Sequence, residues 1–410
     1  MEASPVMVFD FITLDDVDVS GKTVFLRVDI NSPLDPKTKR ILDDSRIKAT
    51  ETTLRCLSKA KVVLGAHQSR PGKYDFTNLE AHTRVLQMYL GNSVKFVEDI
   101  DGPKAQESIK KLKPGDVLVL NNLRMHKDEN LDAPPEELAK TGMVKNLSPC
   151  FDLCVNDAFA AAHRGSASLT AFGEVIPMVA GRLMERELTA LNKVLNNPKR
   201  PCVYLLGGAK VDDRIPVIKR VLRDNLADHI LIGGLIREYF QLAEGKSPDR
   251  YAKLTDEDKK LVDQAGEILK QHKKRIELPV DVALDVNSER IELLLDQLTD
   301  ETNIFDIGLN TVAKFSKFIK EAGTVVAEGP LGMFERKGFD VGTKELLWAM
   351  AESHAYTVVG GGHMGGLSSM LGIDGRMKHV STGGGAMLSL LAGEELPVID
   401  AMAKAKKKWC

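Results

Sequence analysis

The sequence predicts an α/β protein of two three-layer (αβα) domains, each built on a parallel sheet, with a helix joining them. Three observations support this prediction. The 410 residues correspond to about two or three ordinary domains. Short apolar segments alternate with amphipathic ones in both halves of the chain, which is typical of parallel strands covered by helices. A long helical pattern at 181–197 lies between the two halves.

The first domain, 1–180, contains five short segments that are apolar enough to be buried parallel strands. These predicted strands are 23–30, 61–67, 94–97, 116–120 and 151–157. Helical periodicity predicts covering helices at 45–60 and 77–90. We expect the second helix to begin at a capping box of Thr77 and Glu80 and to end at Gly91.

The segment 181–197 is predicted as a connecting hinge helix, and the alternation then restarts in a second domain, 198–394. Strands are predicted at 202–206, 229–232, 275–282, 303–307, 324–327 and 355–359. Helices are predicted at 213–223, 256–271, 311–322 and 343–354. We expect the C-terminal tail, 395–410, to pack back on the first domain.

The composition argues against nucleic acids and membranes as partners. Lys and Arg number 56 against 58 Asp and Glu, a net charge of −2, so bulk charge attracts neither. No apolar run reaches the roughly 18 residues of a membrane helix. The first residues, which include Glu2, lack the cationic start of a secretory signal. The five cysteines show no paired metal spacing. A cytoplasmic protein is expected.

Cationic and polar side chains follow the strands of the first domain, where open α/β sheets bind their ligands. They are Arg27, Asp29, Asn31, Arg46, His67, Arg70, Arg124, His163 and Arg164. The planar fork of arginine binds phosphate and carboxylate groups bidentately. Any single arginine is explained equally well as an exposed loop residue or an ion-pair partner. The recurrence at successive strands favours a site for a small, multiply charged anion.

Glycine-rich segments take the corresponding places in the second domain. Segments 206–210 (LGGAK), 360–365 (GGGHMG) and 382–386 (TGGGA) each follow a strand and precede a helix, so their backbone amides can bind phosphate. The alternative is close packing of helix on strand. The dinucleotide fingerprint also needs an acidic residue about 20 positions later. Ser381 and Thr382 stand there instead, and no P-loop is present.

These motifs together resemble the phosphoglycerate kinase family, over about residues 24–397. The first half resembles its substrate domain through LRVDINSPL, HQSRPG, NNLRMH and NDAFAAAHR. The second half resembles its nucleotide domain through LLGGAKVDDR, PVDVA, DIGLNT, EGPLGMFE, GTKELL, VVGGGH and STGGGA. HQSRPG in place of the commoner HLGRP form, and GGGH in place of GGGD, are similar to the archaeal branch.

The resemblance implies two Rossmann-like domains and a reversible phosphoryl transfer with a carboxyl group as acceptor. 1,3-Bisphosphoglycerate and MgADP would give 3-phosphoglycerate and MgATP, a step of glycolysis and gluconeogenesis. The implied cofactor is Mg²⁺ with ATP or ADP, and hinge-bending closure of the domains is expected. Monomer and homodimer both remain open.

The resemblance also implies roles for individual residues. Phosphoglycerate would be bound by Asp29, Asn31, Arg46, His67, Arg70, Arg124 and Arg164. The nucleotide would be bound by Ala209, Lys210, Arg214, Gly234, Gly308, Glu335 (on the ribose), Gly360, Gly361, Gly362, His363 and Met364. The transferred phosphoryl group would face Arg46, Lys210 and the amides around Gly384.

Four positions depart from the family pattern. His363 replaces a metal-binding Asp, Met364 a Thr, Glu328 an Asn, and Arg214 a Lys. Because Mg²⁺ prefers oxygen ligands, we expect nucleotide phosphates and water to hold it, with Glu328 as the candidate protein ligand. The alternative is that Glu328 pairs with a nearby lysine.

Two other functions are compatible with parts of the sequence. An anion- or nucleic-acid-binding module would present widely spread basic residues with interleaved aromatics, whereas aromatics are 5% of this chain. A kinase of another acyl phosphate would share the scaffold. Assays with 3-phosphoglycerate, acetate and carbamate as phosphoryl acceptors distinguish these possibilities.

Overall fold

The computed structural model describes residues 10–245, 247–298 and 303–409. They form two compact units. The first unit consists of 10–189 together with 395–409, and the second of 190–394. The N-terminal residues on which the expectation about a secretory signal rests lie outside the described residues. No helix in the described ranges is long and apolar enough to cross a membrane.

A six-stranded parallel sheet forms the centre of the first unit. Its strands are β1 (Thr23–Val28), β2 (Lys61–Gly65), β3 (Val94–Phe96), β4 (Val117–Val119), β5 (Leu153–Asp157) and β6 (Met178–Ala180). They lie in the order β3–β4–β2–β1–β5–β6. Because all are parallel, the loops that follow β1, β2, β4 and β5 leave one edge of the sheet.

Helices and aromatic residues cover the two faces of this sheet. The helices of this unit are α1 (Ser45–Ala49), α2 (Glu51–Cys56), α3 (Glu80–Leu90), α4 (Pro103–Lys110), α5 (Pro135–Leu138), α6 (Gly142–Leu147) and α7 (Ala167–Thr170), and α8 (Arg182–Asn196) begins in this unit and ends in the second. On one face, Leu26 and Leu64 share a buried core with Ile47 of α1 and Leu86 of α3. On the other, the Phe25 ring lies 4.6 Å from that of Phe172.

The second unit contains a six-stranded parallel sheet and a smaller antiparallel one. Its strands are β7 (Cys202–Leu206), β8 (His229–Ile232), β9 (Ile276–Glu277), β10 (Asp281–Val286), β11 (Glu289–Leu294), β12 (Ile304–Ile307), β13 (Thr324–Glu328), β14 (Tyr356–Gly360) and β15 (His379–Val380). The parallel order is β15–β14–β13–β7–β8–β9, and the antiparallel order is β11–β10–β12.

The helices of the second unit fall into two groups. They are α9 (Val211–Arg223), α10 (Ile236–Ala243), α11 (Pro248–Ala252), α12 (Asp256–His272), α13 (Leu309–Glu321), α14 (Val341–Glu352), α15 (Gly362–Met370) and α16 (Gly384–Ala392). Helix α9 packs on α12 and α16, whereas α14 packs on α13 and α15. The last helix, α17 (Pro397–Trp409), belongs to the first unit, where the Trp409 indole donates to the Gly173 carbonyl at 3.0 Å.

The α/β class with two parallel sheets is confirmed, and three local predictions are wrong. The predicted strand 275–282 is two strands in different sheets, β9 and β10, separated at Pro279, which has no N–H to donate. The predicted helix 45–60 is divided at Thr50, whose hydroxyl donates to the Ile47 carbonyl at 2.7 Å. The expected capping box is absent, because Thr77 donates to the Asn78 carbonyl and Leu79 occupies the N-cap of α3.

Candidate active-site residues

The loop after β1 brings Asp29, Asn31 and Arg46 together. The Arg46 Nη1 lies 3.2 Å from Asp29 Oδ1, and the Asn31 N–H donates to the same oxygen at 2.9 Å. Burial alone would raise the pKa of Asp29, but the Arg46 charge and the Asn31 hydrogen bond help to hold it below its usual range. Asp29 is therefore an ionised carboxylate that orients Arg46.

His67, at the end of β2, is 4% exposed and held by Arg27. The Arg27 Nη2 lies 3.1 Å from His67 Nδ1. Because a guanidinium can only donate, Nδ1 accepts and Nε2 carries the proton. Burial is the main reason that the pKa of His67 falls to about 3; Asp29 opposes the shift, and Arg27 and Arg124 add to it. At neutral pH, His67 is a neutral hydrogen-bond donor.

Arg27 was predicted from its strand position to be one of the cations of the anion site, but it lies in the interior instead. It is 1% exposed, donates through Nε to Ser168 Oγ at 2.7 Å, and lies 3.7 Å from Glu129 Oε1. The Ser166 and Ser168 hydroxyls also donate to Glu129, at 2.8 and 2.6 Å. Arg27 therefore holds His67 in place from the protein interior.

Arg70, Arg124 and Arg164 form a cluster of like charges. Burial is the main reason that the pKa of Arg124 falls to about 10, and repulsion from Arg164 and Arg70 adds to it. Burial likewise lowers the pKa of Arg164, again with repulsion from Arg70. A multiply charged anion would relieve this repulsion, since each guanidinium destabilises its neighbours.

The second unit has a cavity of about 810 Å³ at the carboxyl ends of β7, β8, β13 and β14. The predicted residues that line it are Ala209, Lys210, Arg214, Gly234, Glu328, Glu335, Gly360, Gly361, Gly362, His363, Met364 and Gly384. Gly308 is not among the lining residues. A Cβ on Gly308 would lie 2.3 Å from the Asp281 Cγ, and Asp281 accepts from the Asn310 and Thr311 amides at the start of α13. The absence of a side chain at Gly308 therefore lets the Asp281 carboxylate reach the amides at the start of α13.

Helix N-termini converge on this cavity. Lys210, Leu235, Gly361 and Gly383 occupy the N-caps of α9, α10, α15 and α16, and the first residues of each helix line the cavity or adjoin its lining. A Cβ on Gly384 would lie 2.8 Å from the Gly361 Cα. The N-termini of α15 and α16 are therefore adjacent. Their free amides and dipoles favour anions such as phosphate.

Glu328 and Arg214 form a buried pair beneath the glycine loops. The Arg214 Nη2 lies 3.5 Å from Glu328 Oε1, and the Arg214 Nε donates to the Gly207 carbonyl at 3.1 Å. The alternative to a metal-ligand role for Glu328 was a lysine partner, and the residue that pairs with it is an arginine. Burial raises the pKa of Glu328 to about 7, although Arg214 opposes the shift. Within the described ranges, Glu328 Oε2 has no hydrogen-bond partner.

Several cavity residues were missed by sequence reasoning. Asp213 lies in the first turn of α9 with its carboxylate 3.9 Å from Lys210 Nζ, and the Lys210 side chain is 79% exposed. Its i,i+3 spacing from Lys210 was the available signal. The Phe334 ring packs 5.1 Å from His363, which nothing in the local sequence indicated. Among the described residues, no cluster of three or more His, Cys, Asp or Glu is arranged for a metal.

Relatives of this chain are known over nearly its whole length. The family model described as "Phosphoglycerate kinase" matches residues 14–394. The phosphoglycerate kinase of Methanobacterium bryantii is 43% identical over 407 residues, covering 98% of this chain and 99% of that protein. That of Methanococcus maripaludis is 46% identical over 411 residues, covering 97% and 99%. The crystal structure of the phosphoglycerate kinase from Pyrococcus horikoshii OT3 superposes with a TM-score of 0.89 at 43% identity, covering 97% and 100%.

The buried, neutral His67 predicts a specific loss of stability in acid. An unfolded histidine titrates near pH 6.5, whereas the pKa of folded His67 is about 3. As pH falls below 6.5, the unfolded chain therefore binds a proton that the folded chain does not, and stability falls. Relative to His67→Asn, the free energy of unfolding should decrease by about 1.4 kcal/mol more between pH 7.5 and 5.5. Urea unfolding at both pH values measures this, and equal decreases would contradict it.

Proposed function

The chain belongs to the phosphoglycerate kinase family, alongside archaeal members, and we propose how its residues carry out the reaction of that family. The reaction is the reversible transfer of a phosphoryl group from 1,3-bisphosphoglycerate to ADP, which gives 3-phosphoglycerate and ATP. The observation that supports our assignment is a division of labour: cationic side chains gather in the first unit, and helix N-termini gather in the second.

Phosphoglycerate binds to the first unit in this proposal. Arg70, Arg124 and Arg164 neutralise its phosphate and carboxylate groups, because clustered guanidiniums gain most from a multiply charged anion. His67 donates a hydrogen bond from Nε2, and Asp29 and Asn31 complete the polar surface. Arg46 is oriented by Asp29 and reaches the phosphoryl group that is transferred.

The nucleotide binds in the cavity of the second unit. The amides at the starts of α9, α15 and α16 bind its phosphates, through Ala209, Gly360 to Met364, and the residues around Gly384. Glu335 binds the ribose, and Gly234 borders the cavity at the end of β8. Arg214 holds the loop at Gly207 from below, and the exposed Lys210 faces the transferred phosphoryl group.

Charge neutralisation and in-line alignment are the main demands of a metaphosphate-like transition state. Arg46 and Lys210 meet these demands from different units, so the units must approach each other during the reaction. We propose a hinge-bending closure in which α8, the helix that contains the boundary between the units, takes part.

Because both substrates are multiply charged and do not cross bilayers, we place the reaction in the cytoplasm.

Mg²⁺ fits the cavity as an ion held mainly by nucleotide phosphates and water. It usually keeps several waters and takes only one or two protein carboxylates. Of the carboxylates that line the cavity, we take two as candidates: Glu328, whose Oε2 has no partner among the described residues, and Asp213, which is half exposed. Imidazole suits softer metals, so we assign His363 to a phosphate contact. The ion would neutralise phosphate charge.

Replacing Arg46 by alanine should lower kcat by roughly 10³-fold, as for the loss of an arginine that stabilises the transferring phosphoryl group. The KM for 3-phosphoglycerate should change much less, because the clustered arginines remain. Steady-state kinetics in the direction of ATP consumption measure both. Arg55→Ala, which removes an exposed arginine paired with Glu51, is the matched control. A near-normal kcat with a raised KM would assign Arg46 to ground-state binding instead.

Replacing Arg164 or Arg70 by alanine should weaken 3-phosphoglycerate binding at least tenfold, given the roughly 1.5–3 kcal/mol of a charged hydrogen bond. ADP binding should be unchanged, since its cavity lies in the other unit. Calorimetric titration of each ligand into the free protein tests this. Arg84→Ala removes an exposed arginine of α3 and should leave both affinities intact. Equal weakening of both ligands would refute the division of labour.

Glu328→Gln should raise the Mg²⁺ concentration needed for half-maximal activity, and His363→Asp should lower it or leave activity intact. The titration is done near pH 8, where Glu328, with a pKa of about 7, is ionised. Asp213→Asn, measured in parallel, reports the share of the second carboxylate. An unchanged Mg²⁺ requirement in Glu328→Gln removes Glu328 from the metal site. Loss of Mg²⁺-dependent activity in His363→Asp, with ADP still bound, would mean that the imidazole is itself required.

A further inference from the structure

The side chain of Gln68 is fully buried behind the loop that follows β2. Its Oε1 accepts a hydrogen bond from the Ser32 amide at 2.9 Å and lies 3.0 Å from His82 Nε2. Its Nε2 donates to the Ser32 carbonyl at 2.9 Å and to the Asp75 carbonyl at 3.3 Å. All the hydrogen-bonding capacity of this amide is therefore used between segments that are distant in sequence.

Both backbone groups of Gln68 are hydrogen-bonded as well. Its N–H donates to Asn122 Oδ1 at 3.1 Å, and its carbonyl accepts from Asn122 Nδ2 at 2.8 Å. Asn122 Oδ1 also accepts from the Arg124 amide at 3.2 Å. The loops after β1, β2 and β4 thus meet at one buried residue.

The next residue, Ser69, has a left-handed backbone, with φ of 57°. Its N–H donates to Asn31 Oδ1 at 2.9 Å, its hydroxyl donates to Asp75 Oδ1 at 2.5 Å, and its carbonyl accepts from Arg124 Nη1 at 3.3 Å. A left-handed conformation is uncommon outside glycine. The turn leads from the buried Gln68 to the exposed Arg70.

We propose that Gln68 is a positioning residue for phosphoglycerate binding, which sets the relative places of Asn31, Arg70 and Arg124 by holding their three loops together. This inference rests on the proposed role of those residues in binding. Bidentate contacts to a small anion depend on geometry, and displacements near 1 Å are costly. His82 supports the arrangement at all physiological pH values, because burial lowers its pKa to about 4 and keeps it a neutral donor.

The pair of residues at 68 and 69 works as a unit. An apolar residue at 68 would leave the Ser32 amide, the Ser32 carbonyl and the His82 Nε2 without their partner, and the turn would lose its anchor. Glycine at 69 would adopt the positive φ without that anchor, because it lacks a Cβ. The commoner HLGRP form of the family has leucine and glycine at these two positions.

The test measures 3-phosphoglycerate and ADP affinities by calorimetry, with urea unfolding in parallel. Gln68→Leu should raise the dissociation constant for 3-phosphoglycerate about tenfold or more and leave that for ADP unchanged. Adding Ser69→Gly should restore most of the affinity. Gln87→Leu is the matched control: it removes a glutamine of the same unit that donates to the Val94 carbonyl, and it should change stability without changing affinity.

Unchanged 3-phosphoglycerate affinity in folded Gln68→Leu would overturn the inference, and no recovery in the double variant would overturn the coupling of the two positions. If Gln68→Leu does not fold, Ser69→Val is compared with Ser69→Gly. Both lack the hydroxyl, but only valine opposes the left-handed turn, so valine alone should weaken binding; equal affinities would overturn the inference. Arg70→Ala is measured in the same series. Normal binding in that variant would instead refute the proposed role of the loop itself.

Discussion

A fully buried guanidinium, that of Arg27, is the constraint on which the proposed binding edge of the first unit depends. A buried charge costs several kcal/mol unless it is paired and hydrogen-bonded. Arg27 lies beside Glu129, and Ser168 and His67 accept its hydrogen bonds. Because these partners must surround the Arg27 guanidinium, β1, the start of α7 and the loop after β2 are fixed in one arrangement. The protonated nitrogen of His67 follows from the same requirement, because its other nitrogen must accept from Arg27.

The arginines of the cluster repel one another, and the charge of Arg27 adds to the repulsion on Arg124. Even with its pKa lowered to about 10, Arg124 keeps its charge at neutral pH. A lysine shifted by a similar amount would titrate near pH 8, given its ordinary pKa of about 10.4, and would be partly neutral. The use of arginine at these strand ends therefore has two reasons: its fork matches the anion, and its charge survives crowding.

The sequence predicts the elements well wherever local patterns decide them. Strands 202–206 and 229–232 have the predicted bounds, because continuous apolar runs suit buried parallel strands. The division of 275–282 into β9 and β10 was missed, although Pro279 and the two-residue turn at Asn287 and Ser288 between β10 and β11 are both local signals. The convergence of arginines at one edge can be predicted from the parallel direction of the strands. The burial of Arg27 and the partner of Glu328 depend on tertiary packing.

In our proposal the two units bind anions by different physical means, and this explains why their sequences look different. Side-chain cations serve the first unit, and they need buried partners such as Glu129 to orient them. Backbone amides serve the second unit, and they need glycine. A Cβ on Gly360 would lie 2.2 Å from Glu328 Oε2, so the glycine loop also leaves room for the buried Glu328–Arg214 pair below it. The glycine motif indicates a phosphate loop from sequence alone, but its second requirement, space above a buried ion pair, follows only from the fold.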